Sequence, residues 1–200
     1  VAFGLSTILI ILGFWIRLNV SESPEFKVVK KENAETSVPF KEMWKGNVGK
    51  IFAGMGARYI DGVFFNIMAV FSLTYLTTYI EITRTAALIG VSIAAFVMCF
   101  FIPLFGHISD KVGRTKTYFY GSLITGFSAM PAFWLMSNSD GNLLIIWPSI
   151  LIPFGILYAT VYGPEAALFA ELFDVKVRYT GMSFVYQFSG IFASGITPMI

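Results

Sequence analysis

Charge is what this sequence has least of. Asp, Glu, Lys and Arg make up 13% of its 200 residues against 56% hydrophobic, where a soluble domain carries about 25% charged residues. So little polar surface cannot cover a water-facing core. The net charge of +2 and the lack of a basic stripe interleaved with aromatics exclude a nucleic-acid partner. Cys99 is the sole cysteine and lies in mid-run, which rules out a disulfide framework or a cysteine metal site. His107 is the sole histidine, eight residues away on the same run. No histidine pair for a metal and no nucleophile–base set can be assembled from these. No phosphate-binding glycine loop ending in Lys-Ser/Thr is present either, which weighs against an ATP-driven pump. The sequence therefore reads as neither an enzyme nor a cofactor or metal protein. Period-two alternation is also missing, which removes a β-barrel.

What remains is a set of long apolar runs, at a mean hydropathy of +0.72. A helix crossing the hydrocarbon core of a bilayer needs about 20 apolar residues. Six runs meet or approach that length: residues 1–16, 51–80, 86–106, 117–138, 141–164 and 179–200. The second carries two charges, Arg58 and Asp61. Helices satisfy their backbone hydrogen bonds internally, which is why lipid accepts them. The expected fold is an all-α transmembrane bundle of six spans, its short connections packing neighbours antiparallel. Val1 opens an apolar run with no basic residues before it, which reads as a chain beginning inside a helix rather than at a signal peptide.

Orientation follows from Lys and Arg. Segments 17–50, 111–116 and 176–178 hold seven, three and two basic residues and fall on one side of the six-span plan. The other side holds only Arg84. Loops 17–50, 107–116 and 165–178 are therefore expected in the cytoplasm. Segment 17–50 mixes its seven basic residues with five glutamates and is broken by Pro24 and Pro39. It reads as a solvated linker, with a short surface helix around residues 40–50.

The polar stretch GHISDKVGRTK, residues 106–116, becomes a cytoplasmic hairpin between two spans. Gly106 and Gly113 allow tight turning and close helix approach. Asp110 can face the positive end of a helix dipole, and Arg114 can pair with a carboxylate at the end of another span. Such a cluster can hold one conformation and release it in another. The spacing resembles the loop signature of the major facilitator superfamily, G-x-x-x-D-(R/K)-x-G-R-(R/K). RLNVSESPEF (residues 17–26) and YGPEAALFAELFDVKVRYTGMSFVYQ (residues 162–187) narrow the resemblance. The chain is similar to the metabolite:proton symporter family, which includes shikimate, α-ketoglutarate, citrate and proline/betaine carriers. Asp174 and Thr115 depart from the family wording.

The resemblance implies a twelve-helix plan on which these spans match the sixth to the eleventh. Residues 1–16 would be the last span of the first half, 17–50 the linker between halves, and 51–200 the second half without its last helix. It implies a monomeric secondary transporter in the bacterial inner membrane, driven by the proton gradient, with an organic acid as the expected substrate. A sugar-porter-type facilitator and a non-transporting receptor are the alternatives. It also groups Glu171 and Arg178 with Gly106, Asp110, Gly113 and Arg114 as a conformational gate.

Ionisable groups inside a span are costly and point to function. Arg58 and Asp61, three residues apart, share a helix face. If the span begins near Lys50, Arg58 lies about 12 Å along it, deep enough to face a central cavity. Arg58 is the expected partner of a substrate carboxylate, and Asp61 the expected proton site. Asn66 lies on the same broad side. Tyr186 and Gln187, two turns into the last span, are expected to hydrogen-bond substrate. A permanent Arg58–Asp61 ion pair that merely lets the helix insert is the bland alternative. Glu165 is placed at the cytoplasmic end of its span with no role assigned.

Overall fold

The computed structural model of the protein describes residues 2–19 and 43–196, and they are almost wholly helical. Helix α1 is Ala2–Asn19 and α2 is Val48–Thr78. Helix α3 is Arg84–Val112, α4 is Arg114–Ser137 and α5 is Leu143–Leu172. Helix α6 is Arg178–Gly190, continued by a wide turn over Ile191–Ile196. Among the described residues, α2, α3 and α5 are long and apolar enough to cross a membrane by length and composition. Helix α4 adds 24 residues, about 36 Å of helix. The proline-broken body of the expected linker, and the end of the sixth run, lie outside the described residues.

Helices run past the limits set by the apolar runs because polar side chains leave a helix intact once it emerges from lipid. The polar hairpin at 107–116 is mostly helix: α3 continues to Val112 and α4 starts at Arg114. Only Gly113 separates them, at φ +109°, a backbone conformation that suits glycine alone. Thr83 caps α3 by accepting from the Ala86 N–H at 3.4 Å. Asn142 caps α5 by accepting from Leu144 at 3.0 Å.

Contacts fix an alternating topology. Along α3 and α5, Ala86 meets Trp147, Ala94 meets Gly155 and Ile102 meets Gly163, so these two run parallel. Helices α2 and α4 run parallel through Ala57–Tyr118 and Tyr75–Phe133. Helices α2 and α6 do so through Gly54–Val185 and Gly62–Ala193. Gly121–Thr160 and Thr125–Leu157 pair α4 with α5 in opposite directions. The antiparallel neighbours expected from the short connections are therefore observed.

Two apolar cores form at different depths. The larger joins Phe64, Met68, Ala94, Ile150 and Phe154 and their neighbours from α2 to α5. The smaller, at the end rich in basic residues, joins Met43, Ile51, Phe173, Val177 and Val185. Trp44 stacks edge-on against Phe184 there, centroids 5.3 Å apart. Large apolar side chains such as Phe96, Phe100, Phe127, Met130 and Trp134 are exposed on α3 and α4. That is the expected surface of a helix facing hydrocarbon.

Helices α2, α5 and α6 each contain a wide, five-residue-bonded turn, at 66–71, 151–157 and 191–196. Such bulges need a local cause. In α5 it is Pro148 and Pro153, which cannot donate to the preceding turn. The Tyr158 N–H bonds five residues back to Pro153, at 2.9 Å. The Leu157 carbonyl is satisfied instead by the hydroxyls of Thr125 (3.0 Å) and Thr160 (2.6 Å). In α2 the turn begins at Asn66, whose side-chain amide donates to the Gly62 carbonyl at 2.8 Å.

Candidate functional site

The two cores leave a layer between them, and the buried charges occupy it. Arg58 on α2 pairs with Asp61 one turn further on. Its Nε also lies 3.2 Å from Oε1 of Glu165 on α5. Asp61 Oδ1 accepts a hydrogen bond from the Tyr158 hydroxyl, also on α5. The Arg58 guanidinium carbon stands 4.8 Å from the centre of the Tyr186 ring on α6, within range of a cation–π contact. Asp61 is 3% exposed and Glu165 1%. One cation thus sits between two carboxylates and a ring, drawn from three helices.

Backbone contacts hold this segment of α2 in place. The Tyr118 hydroxyl of α4 donates to the Ala57 carbonyl at 2.8 Å. The Ser189 hydroxyl of α6 donates to Met55 at 3.1 Å. Bonds of this kind between membrane helices are worth about 0.6–2 kcal/mol each. Together they pin the backbone on both sides of Arg58, so the guanidinium cannot easily follow the solvent.

The structure brings Arg58, Asp61 and Tyr186 together, as the sequence suggested. Asn66 spends its amide on its own helix, and Gln187 is exposed beside Tyr186; neither joins the charge cluster. Glu165 and Tyr158 are the members that sequence reasoning missed. The fifth run was ended at Pro164, whereas α5 continues to Leu172, so Glu165 is an interior residue and not an end. Proline is tolerated within a span when neighbouring helices re-satisfy the freed backbone. The available signal was the spacing Tyr158, Tyr162, Glu165, Phe169, a single helix face at steps of four, three and four.

At the other end of α3, Arg114 closes a second, exposed cluster. Its Nε and Nη2 donate to Asp110 Oδ1 at 3.0 and 2.8 Å, and Nη1 donates to Glu171 at the end of α5. The hydrogen bond donated to Asp110, with the charges of Glu171 and Asp110, raises the guanidinium pKa against a smaller desolvation effect. Arg114 thus remains a cation at any physiological pH. Arg178 Nε donates to the Phe173 carbonyl at 3.4 Å, within the turn that joins α5 to α6. Gly113 is the break between α3 and α4 at this end. Gly106 lies against the backbone of Gly163, one of the close contacts between α3 and α5. His107 is exposed on α3. Among the described residues no group of histidine, cysteine and acidic side chains could hold a metal ion.

The model of the Major Facilitator Superfamily matches residues 1–198, and the chain belongs to that family. It is similar to the inner membrane metabolite transport protein YhjE of Escherichia coli (strain K12), 28% identical over all of this chain and 46% of that protein. It is also similar to the shikimate transporter of Escherichia coli (strain K12), 27% identical over the whole chain and 46% of that protein. The citrate-proton symporter of Klebsiella pneumoniae is 24% identical over 94% of this chain and 41% of its own length. The chain therefore spans about half the length of the curated relatives it matches. No solved structure matches it. The all-α helical bundle is that of a membrane transporter family, not of an enzyme.

Proposed function

We propose that this major facilitator chain supplies six helices of a secondary active transporter that carries a small organic acid across the bacterial inner membrane together with protons. The observation that carries the proposal is the buried cluster: a guanidinium between two carboxylates, in the middle of a membrane bundle. Burying such charges costs several kcal/mol per ion after relaxation, and a helix that needed only to insert would carry none. Arg58 offers a substrate carboxylate a cation, with Asp61 and Tyr186 setting its direction. The names of the shikimate and citrate-proton relatives support an acidic substrate and, for the latter, a proton.

On this reading residues 1–16 close one six-helix half, 17–50 link the halves, and 51–200 belong to the other half. The two halves rock about a midplane site, the general scheme of alternating access. The proton gradient drives the cycle, so no cofactor is needed, and the carrier works as a monomer. The test is uptake of radiolabelled shikimate, α-ketoglutarate and proline betaine by cells expressing the full-length carrier, with and without an uncoupler. Accumulation that collapses with uncoupler is expected for one of them. Uncoupler-insensitive equilibration would favour a facilitator instead, and absence of flux or binding for a wide acid panel would favour a receptor.

The Asp110–Arg114–Glu171 cluster acts as the cytoplasmic latch in this scheme. It ties the start of α4 to the ends of α3 and α5 through exposed side chains, which water can resolvate when the latch opens. Each exposed pair is worth no more than about 1 kcal/mol. Arg114→Ala should therefore leave membrane abundance unchanged and alter substrate exchange rates by roughly tenfold, since a network of about 1.4 kcal/mol corresponds to a factor of ten. Normal abundance with a normal exchange rate in a counterflow assay would remove the latch.

A further inference from the structure

We propose that Glu165 is the proton-carrying carboxylate of this transporter, and that Asp61 is the fixed counter-ion of Arg58; the inference rests on the symport reading above. It begins with a count of charges. Among the described residues the buried layer holds one cation, Arg58, and two carboxylates, Asp61 and Glu165, the carboxylates each 3% exposed or less. One cation neutralises one of the two carboxylates and leaves the other with a surplus negative charge. The layer therefore has room for one proton.

The partners of the two carboxylates decide where it goes. Asp61 is engaged in its ionised form on both oxygens, by the ion pair with Arg58 on one and by a hydrogen bond from the Tyr158 hydroxyl on the other. Glu165 has only the off-line approach of Arg58 Nε at 3.2 Å and the neighbouring Tyr186 hydroxyl. Neither of its oxygens receives a well-aligned hydrogen bond. Charge-assisted bonds favour the ionised form of the group that receives them, and Asp61 receives them. The remaining groups that face Glu165 are Tyr118 from α4 and Tyr158 from its own helix, with Tyr162 beside Tyr158 and Tyr186. From α3 the backbone of Ile102 to Gly106 passes Gly163. None of these supplies a second cation.

Coupling follows from sharing one guanidinium. With Glu165 ionised, its charge occupies the Nε edge of Arg58. A proton taken from the external water onto a Glu165 oxygen releases that edge, and a substrate carboxylate takes its place. The total charge of the layer is then the same as before binding. After the carrier reopens inside, the substrate leaves, the proton passes to cytoplasmic water and Glu165 returns to Arg58. Anion and proton enter together because the proton on Glu165 frees the Arg58 edge that the anion fills, which holds the total charge of the layer constant.

The experiment compares Glu165→Gln, Glu165→Asp and Asp61→Asn in the full-length carrier, with the transported acid found in the uptake panel. Glu165→Gln should bind and exchange substrate in counterflow within a few-fold of the unaltered carrier. Uphill accumulation should fall at least tenfold, and the pH dependence of substrate affinity should vanish. Glu165→Asp should retain uphill accumulation with an altered pH profile, and Asp61→Asn should keep a pH-dependent affinity. Uphill accumulation by Glu165→Gln equal to that of the unaltered carrier would overturn the assignment. So would a flat profile in Asp61→Asn beside a normal one in Glu165→Gln. Should Glu165→Gln fail to reach the membrane, Glu165→Asp decides: an unchanged pH profile overturns the proposal and a displaced one supports it. If the unaltered carrier itself equilibrates without regard to an uncoupler, the symport reading fails first, and that outcome is separate from these.

Discussion

Arg58→Gln is expected to abolish transport and to destabilise the carrier, whereas neutralising all three buried charges restores stability without restoring transport. Glutamine keeps most of the side-chain length but removes the one cation of the layer among the described residues, leaving Asp61 and Glu165 buried without it. Breaking a buried ion pair by removing one partner costs about 3–5 kcal/mol, because the other charge is left uncompensated. The variant should show a lower melting temperature in detergent and reduced abundance in the membrane. Flux should fall on the order of 100-fold, the scale of a lost charge-assisted hydrogen bond of about 3 kcal/mol.

The triple variant Arg58→Gln, Asp61→Asn, Glu165→Gln separates the two effects. Neutralising the whole buried cluster avoids the uncompensated charge that makes removal of a single partner costly. Its melting temperature should return to that of the unaltered carrier while its uptake remains at background. If the single variant melts normally, Arg58 is not the counter-ion of this layer and the distances that place it there do not describe the working state. If the triple variant transports, the cluster serves insertion alone, which is the bland reading of Arg58 and Asp61.

The membrane bundle was legible because lipid imposes one rule on every spanning helix. Six apolar runs and a one-sided distribution of basic residues were enough to give helix order and alternation, and the contacts of α2 with α4 and of α3 with α5 agree. Helix ends were less legible, for a definite reason. Hydropathy marks where lipid stops, not where a helix stops, so α3 and α4 pass through the polar hairpin until only Gly113 breaks them. The same error hid Glu165. A charge following a proline looked like the exit from the membrane, yet the helix continues for seven more residues to Leu172.

Partner identity was the other gap. Arg58 and Asp61 could be found from a single helix face, because a pair three residues apart is a local fact. That Tyr158 donates to Asp61, and that Arg58 lies over the Tyr186 ring, depends on how α5 and α6 pack against α2, which no local pattern encodes. Asn66 shows the converse. It stands near the right face, but a wide turn starts there and its amide is consumed by the Gly62 carbonyl. The Arg114 latch was legible in part, since the resemblance supplied Glu171, 57 residues away, and the hairpin supplied Asp110.

A glycine pair tests whether the packing that places both clusters is as close as it looks. Helices α3 and α5 meet where Gly106 faces Gly163, and the two glycines are not equivalent. A methyl group on Gly163 would lie 2.8 Å from the Ile102 carbonyl oxygen and 3.0 Å from the Gly106 nitrogen, both of them backbone atoms. On Gly106 it would lie 3.6 Å from the Gly163 oxygen, an ordinary contact. Gly163→Ala must therefore separate the helices, at the usual cost of overpacking, about 1–3 kcal/mol, while Gly106→Ala should cost little. In detergent the first should melt several degrees lower and the second close to the unaltered carrier. Helix α5 carries Glu165 two residues after Gly163 and Glu171 eight residues after it, and α3 carries Asp110. A shift at this contact consequently reaches the proposed proton site and the proposed latch at once. Gly163→Ala should lose transport as well as stability, because Glu165 would be carried away from Arg58 Nε. Equal tolerance of the two substitutions would mean that α3 and α5 stand further apart in the membrane, and that the 3.2 Å approach of Glu165 to Arg58 must be held by something other than this glycine contact.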